Sequence, residues 1–190
     1  MAVDVTSNLQ IGALNNQPDS LNFLSPLGFR LSINRIPNTI YYCQAVNLPE
    51  MSIDELETFT PFVSLKSPGS KLRFGPIVIR FRVDENMSNY IEIYKWLHAL
   101  GRPDDFTQTK TWASDNTTPK TGKENEIINV LSDGTLSILT SSNNASIRIR
   151  FLDMFPTSLT ALDFDATLTD VDYLEATCQF AYRKFEIDVL

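Results

Sequence analysis

A single histidine, His98, and two cysteines, Cys43 and Cys178, are all the imidazole and thiol chemistry in this 190-residue chain. One imidazole cannot supply the histidine sets that hold zinc. It leaves a serine triad with one candidate base, and no Gly-x-Ser-x-Gly elbow accompanies it. The two cysteines are too few and too far apart for a disulfide framework or a thiolate metal site. Cys43 sits mid-strand and reads as a small buried hydrophobe rather than a nucleophile. Glycine is scarce as well, seven residues with no cluster that would cradle a phosphate. No run approaches the roughly 18 apolar residues needed to cross a bilayer. The start, Met1-Ala-Val-Asp-Val-Thr6, has neither the basic region nor the apolar run of a secretory leader. Positive charge is in deficit, 16 Lys and Arg against 23 Asp and Glu, for a net charge of −7. Such a chain repels phosphodiester backbones, which argues against sequence-specific DNA binding. The expectation is an acidic, soluble, intracellular protein with reduced thiols and no catalytic, cofactor or metal site. Asp163-Phe-Asp165 is a two-carboxylate pair without a third ligand, a spacing common by chance.

What is present is enough apolar residue for a packed core, 43% against 21% charged, which excludes wholesale disorder. Residues 1–25, with Asn8, Asn15, Asn16 and Asn22 and no sustained period, read as a flexible arm ahead of one domain, 26–190. Phe29, Leu31 and Ile33 alternate with polar residues, as in a half-buried strand, and Ile40–Leu48 reads as a second strand forming a hairpin with the first. Ile77, Ile79, Phe81 and Val83 mark a third. A helix follows, with Asp84 and Asn86 as candidate caps, Met87, Tyr90, Ile91, Ile93, Tyr94, Trp96, Leu97 and Leu100 at helical spacing, and Gly101 and Pro103 as the stop. Residues 102–126 form a polar insertion. Thr135–Thr140 and Ser146–Leu152 make a hairpin around Ser141-Ser-Asn-Asn144. In a last strand over about 173–189, Leu174, Ala176, Cys178, Phe180 and Tyr182 share one parity while Phe185, Ile187 and Val189 take the other. That phase change implies a bulge or a change of packing partner near Arg183-Lys184. The chain is therefore mainly β (α+β), an antiparallel sandwich or barrel with one flanking helix.

Residues 50–72 stand apart. Pro61, Pro68 and Gly69 interrupt them, so they read as a long loop. Their apolar residues, Met51, Ile53, Leu56, Phe59, Phe62 and Leu65, argue for a surface that finds a partner. With Lys66, Lys71 and Arg73 they are the expected inter-subunit contact residues. Charge is segregated too. Lys66, Lys71, Arg73, Arg80 and Arg82 have no acidic neighbour between 66 and 83, while the stretch from Asp153 to Leu190 is dominated by carboxylates. Two ordinary solvated faces would explain this, and so would complementarity between copies of the chain.

Several motifs carry a resemblance. Ile147-Arg-Ile-Arg-Phe-Leu-Asp-Met-Phe-Pro-Thr-Ser-Leu159, then Leu162-Asp-Phe-Asp165, then a closing strand ending Phe180-Ala-Tyr-Arg-Lys-Phe185, resemble the tail tube proteins of contractile-tailed bacteriophages. Phe29-Arg-Leu-Ser-Ile33, Cys43-Gln-Ala-Val-Asn-Leu-Pro49 and the Ile77–Tyr90 junction running into Trp96-Leu97 resemble the opening half of that family and of the related baseplate tube initiators. The resemblance covers roughly 26–187. It implies six copies closing into a ring, rings stacked head to tail as an inner tube, and a conduit for DNA ejection. The implied partners are further copies, a tail sheath protein, baseplate and tail-terminator proteins, and genomic double-stranded DNA in transit without sequence-specific binding. The implied place is the virion tail, assembled in the host cytoplasm. The non-core faces of 29–48 and 135–152 (Arg30, Ser32, Asn34, Ser137, Arg148, Arg150) are expected to line the channel, with negative potential supplied by turns and by the acidic C-terminal third. A baseplate tube initiator shares the core pattern. A carbohydrate-binding β-sandwich module is the reading from a different class.

Overall fold

In the computed structural model, residues 23–103, 105, 107–109, 112, 130–167 and 173–190 are described. Most of the arm 1–25 and of the insertion 102–126 lies outside them. The elements are β1 (Phe29–Ile33), α1 (Pro37–Tyr41), β2 (Cys43–Val46), β3 (Met51–Phe59), β4 (Ser64–Phe74), β5 (Ile77–Arg82), α2 (Ser88–Gly101), β6 (Ser132–Leu139), β7 (Ala145–Leu159), β8 (Glu175–Ala181) and β9 (Lys184–Val189). The fold is mainly antiparallel β.

Two four-stranded sheets share β7. In the first the order is β1-β6-β7-β9, and in the second β2-β5-β8-β7, all antiparallel. The N-terminal half of β7 pairs with β9 (Ile149↔Ile187) and its C-terminal half with β8 (Pro156↔Phe180). The corner falls at Asp153, whose φ is 56°, opposite Arg183. The phase change in the last strand is thus a change of sheet: Ala176, Cys178 and Phe180 face the core through one sheet, and Phe185 through the other.

The core is built by alternation. Leu31 and Ile33, Ile77, Ile79 and Phe81, Leu136, Ile149 and Phe151, and Ala176, Cys178 and Phe180 are buried, while the residues between them point outward. Each large buried side chain contributes on the order of 1.5–3 kcal/mol relative to exposure. Helix α2 adds Ile93, Trp96 and Ala99. Trp96 is fully buried, packs on Phe180 and Trp112, and donates its indole N–H to the Val130 carbonyl at 2.8 Å. The helix start is set by side chains. Asp84 Oδ1 accepts from Ser88 N at 2.7 Å, and the buried Asn89 donates to the Arg82 carbonyl at 2.6 Å and accepts from Tyr90 N at 2.8 Å.

Two local expectations fail. β1 does not pair with β2: its partner is β6, and the short helix α1, opened by Pro37, occupies the start of the expected second strand. Residues 50–72 are not an irregular loop but the β3–β4 hairpin, a separate two-stranded sheet. The breakers that suggested a loop fit it. Pro61 lies in the turn closed by Thr60 and Val63. Pro68 and Gly69 lie at the register shift opposite Asp54, where any side chain on Gly69 would collide with the Asp54 carbonyl.

Candidate assembly surfaces

The hairpin stands off the body as an arm. Every residue of β3 is exposed, and almost every residue of β4. Its root is anchored: Phe74 packs on Tyr182 and Phe185, and Tyr182 Oη donates to the Gly75 carbonyl at 2.8 Å. Cross-strand pairs Met51↔Phe74 and Ile53↔Leu72 place four apolar side chains on one face near the root. Leu56 and Leu65 lie diagonal to one another further out. Phe59 and Phe62 form the tip, 80% and 98% exposed. A two-stranded hairpin is marginal in water by itself, and an apolar arm of this kind is a surface built to be covered.

The charged residues of the arm largely satisfy one another. Lys66 Nζ lies 2.8 Å from Glu55 Oε1, and Arg73 Nη2 lies 2.7 Å from Asp54 Oδ2. Lys71, in the register shift, has no ion-pair partner among the described residues. Exposed pairs of this kind contribute well under about 1 kcal/mol each and act mainly to hold register. The hairpin therefore gathers all nine sequence-selected contact residues on one projecting element. What sequence reasoning missed was Leu72, the last residue of the segment read as a loop, and Phe74, just beyond it, which continue the apolar face to the root.

The second surface is the first sheet itself. It ends in two strands with one free edge each, β1 and β9. Its outward side carries cross-strand rows, Arg30–Ser137–Arg148–Asp188 and Ser32–Thr135–Arg150–Glu186. Arg150 holds Asp188 at 2.9 Å and Glu186 at 3.3 Å, and Lys184 Nζ holds Glu186 at 2.6 Å. Lys184 and Arg150 keep the Glu186 carboxyl below its ordinary range. With Arg30, Arg148, Arg150 and Lys184 facing Asp133, Glu186 and Asp188, this side is balanced rather than acidic. The carboxylates that the last strand places on this side, Glu186 and Asp188, lie next to Arg150 of the same chain. Elsewhere too the segregated charges meet within the chain, Arg80 with Glu175 at 3.8 Å and Arg183 with Asp153 at 3.0 Å.

The residues weighed for chemistry lie apart. His98 packs against Tyr94 with the rings tilted and their centroids 4.2 Å apart. Burial pushes the Cys43 thiol up to about 11, and raises that of Cys178 further, so both are neutral thiols near pH 7. Asp165 accepts from Thr167 N and Oγ1 at 2.8 and 2.6 Å, a local turn that holds its carboxyl below the usual range. Among the described residues no group of three or more His, Cys, Asp or Glu is placed to hold a metal, and no helix is long and apolar enough to cross a membrane.

No protein-family model matches the chain. In sequence it is similar to the tail tube terminator protein of Enterobacteria phage T4, 26% identical over 148 residues that make up 76% of each protein. In fold it is similar to the tube-terminating cap of the anti-feeding prophage, with a TM-score of 0.59 and 14% identity over 99% of this chain and 100% of that one. A chain of the sheath/tube terminator of the extracellular contractile injection system PVC, in the extended state, gives 0.58 and 18% over 90% and 100%. One from the sheath–tube complex of the same system gives 0.56 and 17% over the whole of both. In sequence the chain thus resembles a tail tube terminator of a contractile-tailed bacteriophage, and in fold chains from the tube-terminating and sheath–tube assemblies of contractile injection systems; these are structural tail proteins, not enzymes.

Proposed function

We propose that this chain is a structural component of a contractile tail that closes as a ring on the end of the inner tube. The observation that carries this reading is the whole-length likeness to a tube-terminating cap, in a chain that leaves an apolar arm and both edges of its first sheet uncovered. Closing six copies into a ring would remove the exposed edges, and the arm of each copy would lie on its neighbour. Phe59, Phe62, Met51, Ile53, Leu56 and Leu65 would supply the apolar contact, and Lys66, Lys71 and Arg73 with the β3 carboxylates the polar rim. A ring at the tube end would touch the tube on one side and the sheath terminus around it. Genomic DNA would pass through its hole during ejection. The place of action is the virion tail, with assembly in the host cytoplasm.

The alternative within the same architecture is the tube subunit itself, favoured by the likeness to a chain of a sheath–tube complex. Adding the chain, labelled, in small amounts to the tube protein of the same tail while tubes grow separates the two. A terminator shortens the tubes and labels one end. Incorporation along the length, with no effect on length, overturns the terminator reading in favour of the tube subunit.

A further inference from the structure

The free edge of β1 faces a groove of about 780 Å³, bounded by Phe29–Asn34 on one side and by Pro37, Ile40, Tyr41 and Cys43 on the other. At the other end of the same sheet, β9 has its own unpaired edge. Both edges expose apolar side chains that their own sheet does not cover: Leu27 is 89% exposed beside β1, and Val189 85% and Ile187 52% on β9. The four strands alternate in direction, so β9 of one copy would meet β1 of an identically oriented copy antiparallel. An even number of alternating strands is what lets such a junction repeat around a ring.

The charges at these edges are unequal. Arg30, exposed on β1, has no ion-pair partner among the described residues. Glu186 and Asp188, on the same outward side of β9, remain about two-fifths exposed despite their bonds to Arg150. Each carboxylate has lone pairs left for a second guanidinium.

We propose that Arg30 fixes the register of the junction between copies by bonding the Asp188 and Glu186 carboxylates on β9 of the neighbouring copy. This rests on the ring reading above. Continuing the row Arg30–Ser137–Arg148–Asp188 without stagger puts Asp188 directly beside the next Arg30, and a stagger of two residues puts Glu186 there. Any odd stagger turns Arg30 toward the face of Ile187 and Val189, burying a guanidinium against apolar side chains. Charge and side-chain parity thus exclude every odd register.

Cysteine pairs test this directly. Within one chain Arg30 and Asp188 lie three strands apart, roughly 14 Å at ordinary strand spacing, too far for a disulfide. Across the junction the same positions would be about 5 Å apart. Oxidising the Arg30→Cys/Asp188→Cys variant should give a covalent ladder of copies, and Arg30→Cys/Ile187→Cys should not. Arg30→Gln should raise the concentration for half-assembly at least about tenfold, with circular dichroism unchanged. If wild-type rings form but the 30/188 and 30/186 pairs both fail to cross-link, or Arg30→Gln assembles normally, the clasp is wrong and the ring reading stands. If the wild-type chain never associates, with itself or with tube ends, both fail together.

Discussion

Arg183 Nε lies 3.0 Å from Asp153 Oδ2, and this pair spans the corner at which β7 leaves one sheet for the other. The Arg183 amide adds a bond to the Leu152 carbonyl at 3.0 Å, and the Asp153 amide donates to Asp133 Oδ1 at 3.1 Å. The free edge of β9 depends on this corner, because it turns β9 back along the first half of β7.

The corner is strained at Asp153, whose left-handed backbone suits Gly, Asn or Asp. Asp153→Val should therefore cost about 1–2 kcal/mol for the backbone alone. Asp153→Asn should lose only the part-exposed ion pair, under about 1 kcal/mol. Urea unfolding of the two variants beside the parent measures the difference. Equal stability of the two would show that the backbone, not the charge, is relaxed there.

Asn89 joins the end of β5 to the start of α2 and is fully buried. Asn89→Ala leaves the Arg82 carbonyl and the Tyr90 amide without their partner. The expected loss is about 1–3 kcal/mol for each group left unsatisfied. Thermal unfolding followed by circular dichroism reads it, and a change below about 0.5 kcal/mol would mean that water replaces the amide.

Glu92 on α2 takes hydrogen bonds from Asn38 Nδ2 at 2.6 Å and from Thr39 N at 3.4 Å, tying α1 to α2. Burial raises its carboxyl above the ordinary 4.5, against the opposing pull of those bonds. The native state therefore holds this proton more tightly than the unfolded chain. The stability it contributes is complete below the unfolded carboxyl range and is lost as pH rises through the raised value. Relative to the parent, Glu92→Gln should gain stability on going from pH 4 to pH 7, measured as urea midpoints at each pH. A constant difference between the two proteins would remove Glu92 as the source.

Phe59 and Phe62 touch little of their own chain, so Phe59→Ser with Phe62→Ser should change unfolding free energy by no more than about 0.5 kcal/mol. The same double variant should abolish assembly. Sedimentation and denaturation on one preparation check both halves. Normal rings from this variant would show that the tip contributes nothing to the contact.

Much of this was legible because it is periodic. The buried alternation of Ile77, Ile79 and Phe81, the helical stripe through Trp96, and the parity change at Arg183-Lys184 each gave an element that the structure contains. The pairing of β1 with β6 was not legible, because it joins strands over a hundred residues apart and neither carries a mark of its partner. The hairpin was misread because Pro68 and Gly69, ordinarily breakers, mark a register shift in an exposed strand. That segregated charges also meet within the chain was not legible either, because Arg150 and Asp188 are distant in sequence and adjacent in the sheet.

Electron microscopy of the purified chain over a concentration series tests the central claim most directly. The account predicts closed six-fold rings with a β-lined hole, the arm of residues 51–74 lying on the neighbouring copy. A monodisperse monomer at every concentration, which also fails to join tube ends and keeps its arm free, would contradict it.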